Sequence, residues 1–169
     1  LVATLMSNGG LDEAIAKAGG KVVRTQVGDK FVIDEMCRLD ANVGGEQSGH
    51  MIFRDFTTTG DGIISALQVL RVMRETGKPL SELCRVMQRF PQVMLNIKVG
   101  SKPPLESLAG AQDAINEAKA ALGDTGSVIV RYSGTEPLCR VTVEGRDRVA
   151  IERQAQRIAD VIQKQIGAA

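Results

Sequence analysis

The apolar residues of this chain change their spacing partway along, and that change narrows the folds open to it. Over residues 1–90, short strand-like runs alternate with stretches of helical period. Leu1–Met6 reads as a buried strand. Leu11, Ala14, Ile15 and Ala18 then recur at helical spacing, with Ser7 or Asn8 as a cap and Gly19 as a stop. Lys21–Thr25 is a second strand, and Asp29 opens a helix running to about Leu39. Two short strands near Ala41–Gly44 and His50–Arg54 flank a polar turn. A helix follows over Gly62–Thr76 behind Asp61, and a shorter one over Leu80–Gln88. Such alternation predicts an α/β domain over residues 1–90. From Pro91 the order becomes β-α-β-β-α: Gln92–Val99, Leu105–Leu122, Ser127–Tyr132, Leu138–Glu144 and Arg148–Ile166. That order predicts a small α+β domain over residues 91–169, with an antiparallel sheet and helices on one face.

Composition decides what fills these domains and excludes some functions. Hydrophobic residues make up 43% of the chain but aromatics only 3%, so the cores must be aliphatic. Twenty-one basic side chains against 20 acidic ones give no global attraction to nucleic acid or anionic membrane, so any anion site must be local. No apolar run reaches the roughly 20 residues of a membrane helix. Cys37, Cys84 and Cys139 are widely spaced and form no CxxC pair, which predicts buried, reduced thiols and no zinc site. The chain begins at Leu1 inside an apolar run, which reads as a cut end.

Two loops carry groups suited to ligand chemistry. Arg131-Tyr-Ser-Gly-Thr-Glu-Pro137, with Arg140 beyond it, joins two apolar strands. Gly134 would permit a turn whose N–H groups converge on an anion, with Ser133 and Thr135 adding hydroxyls and Arg131 and Arg140 forked donors. Glu136 must face away or pair with an arginine. An ordinary hairpin turn is the other reading. Gly44-Gly-Glu-Gln-Ser-Gly-His50 offers Glu46 as acceptor and Ser48 and His50 as donors or acceptors, a set matched to neighbouring hydroxyls; a polar turn is the plainer reading. Asp29 would cap its helix, and Lys30 beside it could reach a phosphate or hydroxyl. Thr57-Thr-Thr-Gly-Asp-Gly62 reads as a capped helix start. It is not a metal site, because hard cations need clustered oxygens.

Taken together, these segments resemble the α-D-phosphohexomutase superfamily, in its bacterial phosphoglucosamine mutase branch. GGEQSGH resembles the sugar-binding loop of the family's third domain, and RYSGTEPLCR the phosphate-binding loop of its fourth. TLMSN, VGDKF, TTTGDG and FPQ occur in the order that branch shows. The resemblance implies most of domain 3, a three-layer α/β/α domain truncated at its start, over residues 1–90, plus domain 4 over residues 91–169. It implies the interconversion of glucosamine 6-phosphate and glucosamine 1-phosphate through a phosphoserine, Mg²⁺ and a hexosamine or hexose 1,6-bisphosphate. It assigns Glu46, Ser48, His50 and Lys30 to the sugar, and Arg131, Ser133, Gly134, Thr135 and Arg140 to the phosphate. Neither a Thr/Ala-Ser-His-Asn-Pro-like serine loop nor an Asp-Gly-Asp-Gly-Asp-like metal loop occurs in these residues. The expectation is therefore a piece with no catalytic or metal-binding residue of its own, inactive without the family's N-terminal domains. The family also implies a cytoplasmic enzyme that can form a homodimer when intact, with a phosphosugar as its partner and neither nucleic acid nor membrane. A phosphomannomutase or phosphoglucomutase part, or a stand-alone sugar-phosphate binding module, is the alternative.

Overall fold

The structure, a computed structural model, describes residues 1–123 and 126–168. It divides into two compact units, Leu1–Arg89 and Phe90–Ala169.

In the first unit, β1 (Val2–Thr4), α1 (Gly10–Lys17), β2 (Val23–Thr25), α2 (Asp29–Leu39), β3 (Val43–Gly45), β4 (Met51–Phe53), α3 (Gly62–Thr76) and α4 (Leu80–Leu83) follow in order. The sheet order is β2-β1-β3-β4. β1 runs parallel to both β2 and β3, and only β4 is antiparallel. The step from β1 to β2 and the step back past β1 to β3 go in opposite directions. Because such crossovers are right-handed, their helices fall on opposite sheet faces. The core is small: Val2, Val32, Met36 and Ile52, with Ile33 and Ala41 packed against it. Gly44 lets α2 sit directly on β3, since a Cβ there would collide with Met36 and Val32. Arg24 of β2 ties the loop after β1, donating to the carbonyls of Thr4 at 2.8 Å and Ser7 at 2.7 Å and pairing with Asp12.

In the second unit, β5 (Gln92–Lys98), α5 (Ala111–Leu122), β6 (Ser127–Tyr132), β7 (Leu138–Glu144) and α6 (Arg148–Ile166) build an antiparallel sheet of order β5-β7-β6. Period-two alternation turns Cys139, Val141 and Val143 of the central strand into the core, where Ala114, Ala118, Ile151, Ile158 and Ile162 of the helices meet them. Asp147 caps α6 by accepting the N–H groups of Val149 and Ala150.

Several expectations need correction. The helix predicted from Leu105 begins at Ala111; Leu105–Ser107 is an isolated 3₁₀ turn, and Gly110 at φ 75° interrupts the helical path. The helix predicted over Leu80–Gln88 is helical only to Leu83, followed by a 3₁₀ turn over Cys84–Val86. No residue of either piece is buried, and so short a helix without packing has little to hold it. Asn8 accepts the Gly10 N–H but Gly9 is the N-cap of α1. Among the cysteines only Cys139 is buried; Cys37 and Cys84 are exposed. Burial raises the Cys139 thiol pKa. Among the described residues no helix is long and apolar enough to cross a membrane.

Candidate functional sites on two loops

The parallel strands β1, β2 and β3 all end at one edge of their sheet, the edge where open α/β sheets place ligands. The segments leaving β2 and β3 emerge at that same edge on either side of β1, and they meet through Gly28 and Glu46. Gly28 takes φ 133° as the N-cap of α2, a conformation that suits glycine. Its N–H donates to Glu46 Oε1 at 2.6 Å. Asp29 is then the first residue of α2 and not its cap, which corrects the sequence reading. The hairpin closes tightly: Glu46 N–H donates to the His50 carbonyl at 2.8 Å, and Gly49 N–H to the Glu46 carbonyl at 3.1 Å. Within it, Ser48 Oγ lies 3.0 Å from both Glu46 Oε2 and His50 Nδ1. Donor atoms of Asp29, Glu46 and His50 lie within 4.8 Å of one another. Glu46, Ser48 and His50 are thus assembled as one cluster, joined by Asp29, whose place beside them needs the tertiary fold. Lys30 is exposed on the first turn of α2. The Thr57–Gly62 loop backs the hairpin: Asp61 N–H donates to Met51 O at 3.3 Å, and Asp61 caps α3 by accepting from Ile64 N–H at 2.8 Å.

The second loop joins β6 to β7. Arg131 and Arg140 are direct cross-strand partners, so both project from the same face, the one opposite Val130 and Val141. Two like charges placed opposite each other repel, and the site needs an anion. Glu136 supplies one: Arg140 Nη2 donates to Glu136 Oε2 at 2.7 Å. Arg140 Nε is buried with no hydrogen-bond partner. Ser133 is buried, and its Oγ accepts the Glu136 N–H at 3.3 Å. Thr135 and Gly134 are exposed. Gly134 does not have positive φ, and a Cβ there would meet open space, so the turn does not depend on glycine's freedom as the sequence reading supposed. Lys102 was missed: it lies in a segment read only as a turn, yet its Nζ donates to the Ser133 carbonyl at 2.6 Å. It adds a cation to this loop, and nothing local in its own segment reveals this.

Residues 1–90 match the family model described as phosphoglucomutase/phosphomannomutase, alpha/beta/alpha domain III, and residues 94–161 match the C-terminal domain of the same family. The chain belongs to the phosphoglucomutase/phosphomannomutase family of phosphohexomutases. Its curated relatives include phosphoglucosamine mutases of Syntrophotalea carbinolica, 53% identical over 99% of this chain and 36% of the relative, and of Geobacter metallireducens, 52% identical over 99% and 37%. The chain therefore spans little more than a third of the length of those relatives. In fold it is similar to Aspergillus fumigatus N-acetylphosphoglucosamine mutase crystallised with glucose 1,6-bisphosphate, with a TM-score of 0.79 at 22% identity over 99% of this chain and 38% of that one. The same fungal enzyme in complex with GlcNAc-6P and magnesium gives a TM-score of 0.79 at 22% identity over 95% of this chain and 40% of that one.

Proposed function

We propose that this chain is the C-terminal part of a phosphoglucosamine mutase, supplying the phosphate clamp and the sugar-reading loop for interconversion of glucosamine 6-phosphate and glucosamine 1-phosphate. The observation that carries this reading is the cross-strand pair Arg131 and Arg140, with the carboxylate of Glu136 bound to Arg140. A phosphate monoester brings close to two negative charges and several acceptor oxygens, a better match for two guanidinium forks than a single carboxylate. Glu136 then acts as an internal stand-in that the ligand displaces. Displacement would also give a partner to donors such as the unsatisfied Arg140 Nε. Ser133, Gly134 and Thr135 complete the clamp, and Lys102 adds charge and holds the loop through the Ser133 carbonyl.

The sugar-reading role belongs to Glu46, Ser48 and His50, with Lys30 nearby on α2. The carboxylate accepts from sugar hydroxyls while the serine and histidine can donate or accept, so the loop can bind the sugar in either orientation. The clamp holds the phosphate that is not reacting, and the reader positions the ring. Functionally, residues 1–90 are the reader and residues 91–169 the clamp. Complexes of related enzymes with a sugar bisphosphate, and with a phosphosugar and magnesium, support this substrate class. Mg²⁺ does not fit the donor set here: the cluster of Asp29, Glu46 and His50 includes an imidazole, whereas Mg²⁺ selects oxygen ligands. No step is assigned to that ion in this chain, and we assign the chain alone no mutase activity.

Calorimetric titration tests the clamp. Arg131→Ala and Arg140→Ala should each weaken glucosamine 6-phosphate binding about 10- to 100-fold, the loss of a charge-assisted contact. Unchanged affinity in both variants would sink the assignment.

A further inference from the structure

We propose that Asp29, Glu46 and His50 form a binding site for a first-row transition-metal dication of the zinc type, and that a metal bound there excludes the sugar from the same loop. The metal site stands on its own geometry, while the exclusion rests on the sugar-reading role argued above.

Three observations carry the site. First, the three side chains come from two segments of the chain, the start of α2 and the β3–β4 hairpin, and offer donor atoms within 4.8 Å of one another. Ligands about 2.0–2.1 Å from one Zn²⁺ cannot be more than about 4.2 Å apart, so side-chain adjustments of less than an ångström would seat an ion. Second, the donors include the chain's only histidine, so this is no mere acidic patch. One imidazole and two carboxylates make a three-ligand set that leaves zinc a fourth position for water.

Third, the hydrogen bonds around Ser48 favour one tautomer of the imidazole. Ser48 has one hydroxyl hydrogen, which it donates to the carboxylate oxygen Glu46 Oε2. At the 3.0 Å contact with His50 Nδ1 it must therefore accept, which puts the ring proton on Nδ1. In the neutral imidazole this leaves Nε2 with the lone pair a metal requires, while the protonated nitrogen is held by a hydrogen bond, as is usual for metal-bound histidine. His50 is exposed, so its ring is open to solvent ions. Glu46 is also oriented in advance: Gly28 N–H holds Oε1 at 2.6 Å, and each carboxylate oxygen keeps a lone pair for a cation.

The imidazole sets the selectivity. Zn²⁺, Co²⁺ and Ni²⁺ accept nitrogen with oxygen, whereas Mg²⁺ and Ca²⁺ do not favour such a set. Since Glu46 and His50 would be metal ligands, they could not at the same time bind sugar hydroxyls.

The test is a titration of the 169-residue chain with ZnCl₂, with MgCl₂ in parallel, followed by long-range ¹H–¹⁵N spectra of the His50 ring and by calorimetry. We expect one saturable Zn²⁺ site, a shift of Nε2 with Nδ1 remaining protonated, and no response to Mg²⁺ at equal concentration. Glu46→Gln should weaken Zn²⁺ at least about tenfold, and His50→Ala should abolish the site. Both variants should unfold at the wild-type temperature in the absence of metal. Adding glucosamine 6-phosphate should raise the apparent Zn²⁺ dissociation constant more than equimolar inorganic phosphate does. Zn²⁺ binding that survives His50→Ala, or that reports only on the exposed thiols Cys37 and Cys84, would overturn the metal site, as would no binding at all. Zinc binding at His50 without competition from the sugar phosphate would overturn the exclusion and count against the sugar-reading role, leaving the metal site standing.

Discussion

The two units differ in how completely each one buries its own apolar surface. In the second, β7 is the central strand between β5 and β6, and Cys139, Val141 and Val143 are fully covered by helices whose own Ile151, Ile158 and Ile162 are fully buried. In the first, the core cluster is four buried residues, Val2 and Ile52 on strands three residues long and Val32 and Met36 on α2, and no residue of α3 is buried although it carries Ile63 at 76% exposure and Leu67 and Leu70 at 56%. Between α3, α4 and Phe53 lies an apolar cavity of about 300 Å³, lined by Val69, Val72, Leu80 and Leu83 among others. The same helical periodicity thus makes a core in one place and an exposed apolar face in another. What separates them is how much sheet lies beneath the helix: α6 lies over β5 and β7, whereas α3 meets the edge strand β4. The Arg131–Arg140 loop stands on the well-packed unit and the Glu46–His50 hairpin on the lightly packed one.

The largest test of this contrast pairs two truncations. Ile158→Ala should cost about 2–5 kcal/mol in a denaturant melt of the second unit, because a fully buried isoleucine leaves a cavity. Leu70→Ala should change stability by less than about 0.5 kcal/mol, because its side chain is more than half exposed. A large loss at Leu70 would show that α3 is covered in solution and would break the comparison. Next is Arg24→Ala, which should destabilise the first unit by about 2 kcal/mol, since it strips a charged donor from two backbone carbonyls and from Asp12. Hydrogen exchange should show the loss around Thr4–Asn8 while α6 stays protected. Smaller still is the cap: Asp61→Ala should cost about 1 kcal/mol and loosen the start of α3.

The smallest effect is a pH dependence confined to the second unit. Burial raises the pKa of Cys139, and burial, then Cys139 and Glu106, raises that of its cross-strand partner Tyr132. A raised pKa means that the fold favours the protonated form. The stability so gained is complete below the unfolded values, roughly 8.5 for cysteine and 10 for tyrosine, and is lost as pH climbs through the folded ones. Melting temperature should therefore fall above about pH 8.5, and Cys139→Ala should shift the onset towards pH 10. A flat profile in the wild-type chain would contradict this.

Periodicity was enough to read α2, α3, β6, β7 and α6 from the sequence, because each carries its signal locally: an apolar stripe or a continuous apolar run, with Asp61 at the start of α3. The late start of α5 was not legible, since Leu105 and Leu108 fit the helical stripe and only Gly110's left-handed backbone ends it there. Cys37 and Cys84 were assigned to the interior on residue type alone, but exposure depends on which helix face meets a sheet. The hairpin from Glu46 to His50 was visible as a run of polar residues between strands. Asp29 and Lys102 were not, because their positions depend on which strand ends adjoin and how a distant turn folds back, and both are tertiary facts.

The division of labour between the loops is the central claim, and an NMR titration of this chain tests it most directly. With glucosamine 6-phosphate, amides of Ser133–Thr135 and of Glu46–His50 should both shift; with inorganic phosphate, only the former should. A Glu136→Gln variant should bind both ligands more tightly, since it removes the internal carboxylate that competes for Arg140. Shifts in neither loop with the sugar phosphate, or shifts of the Glu46–His50 amides with inorganic phosphate alone, would contradict the account.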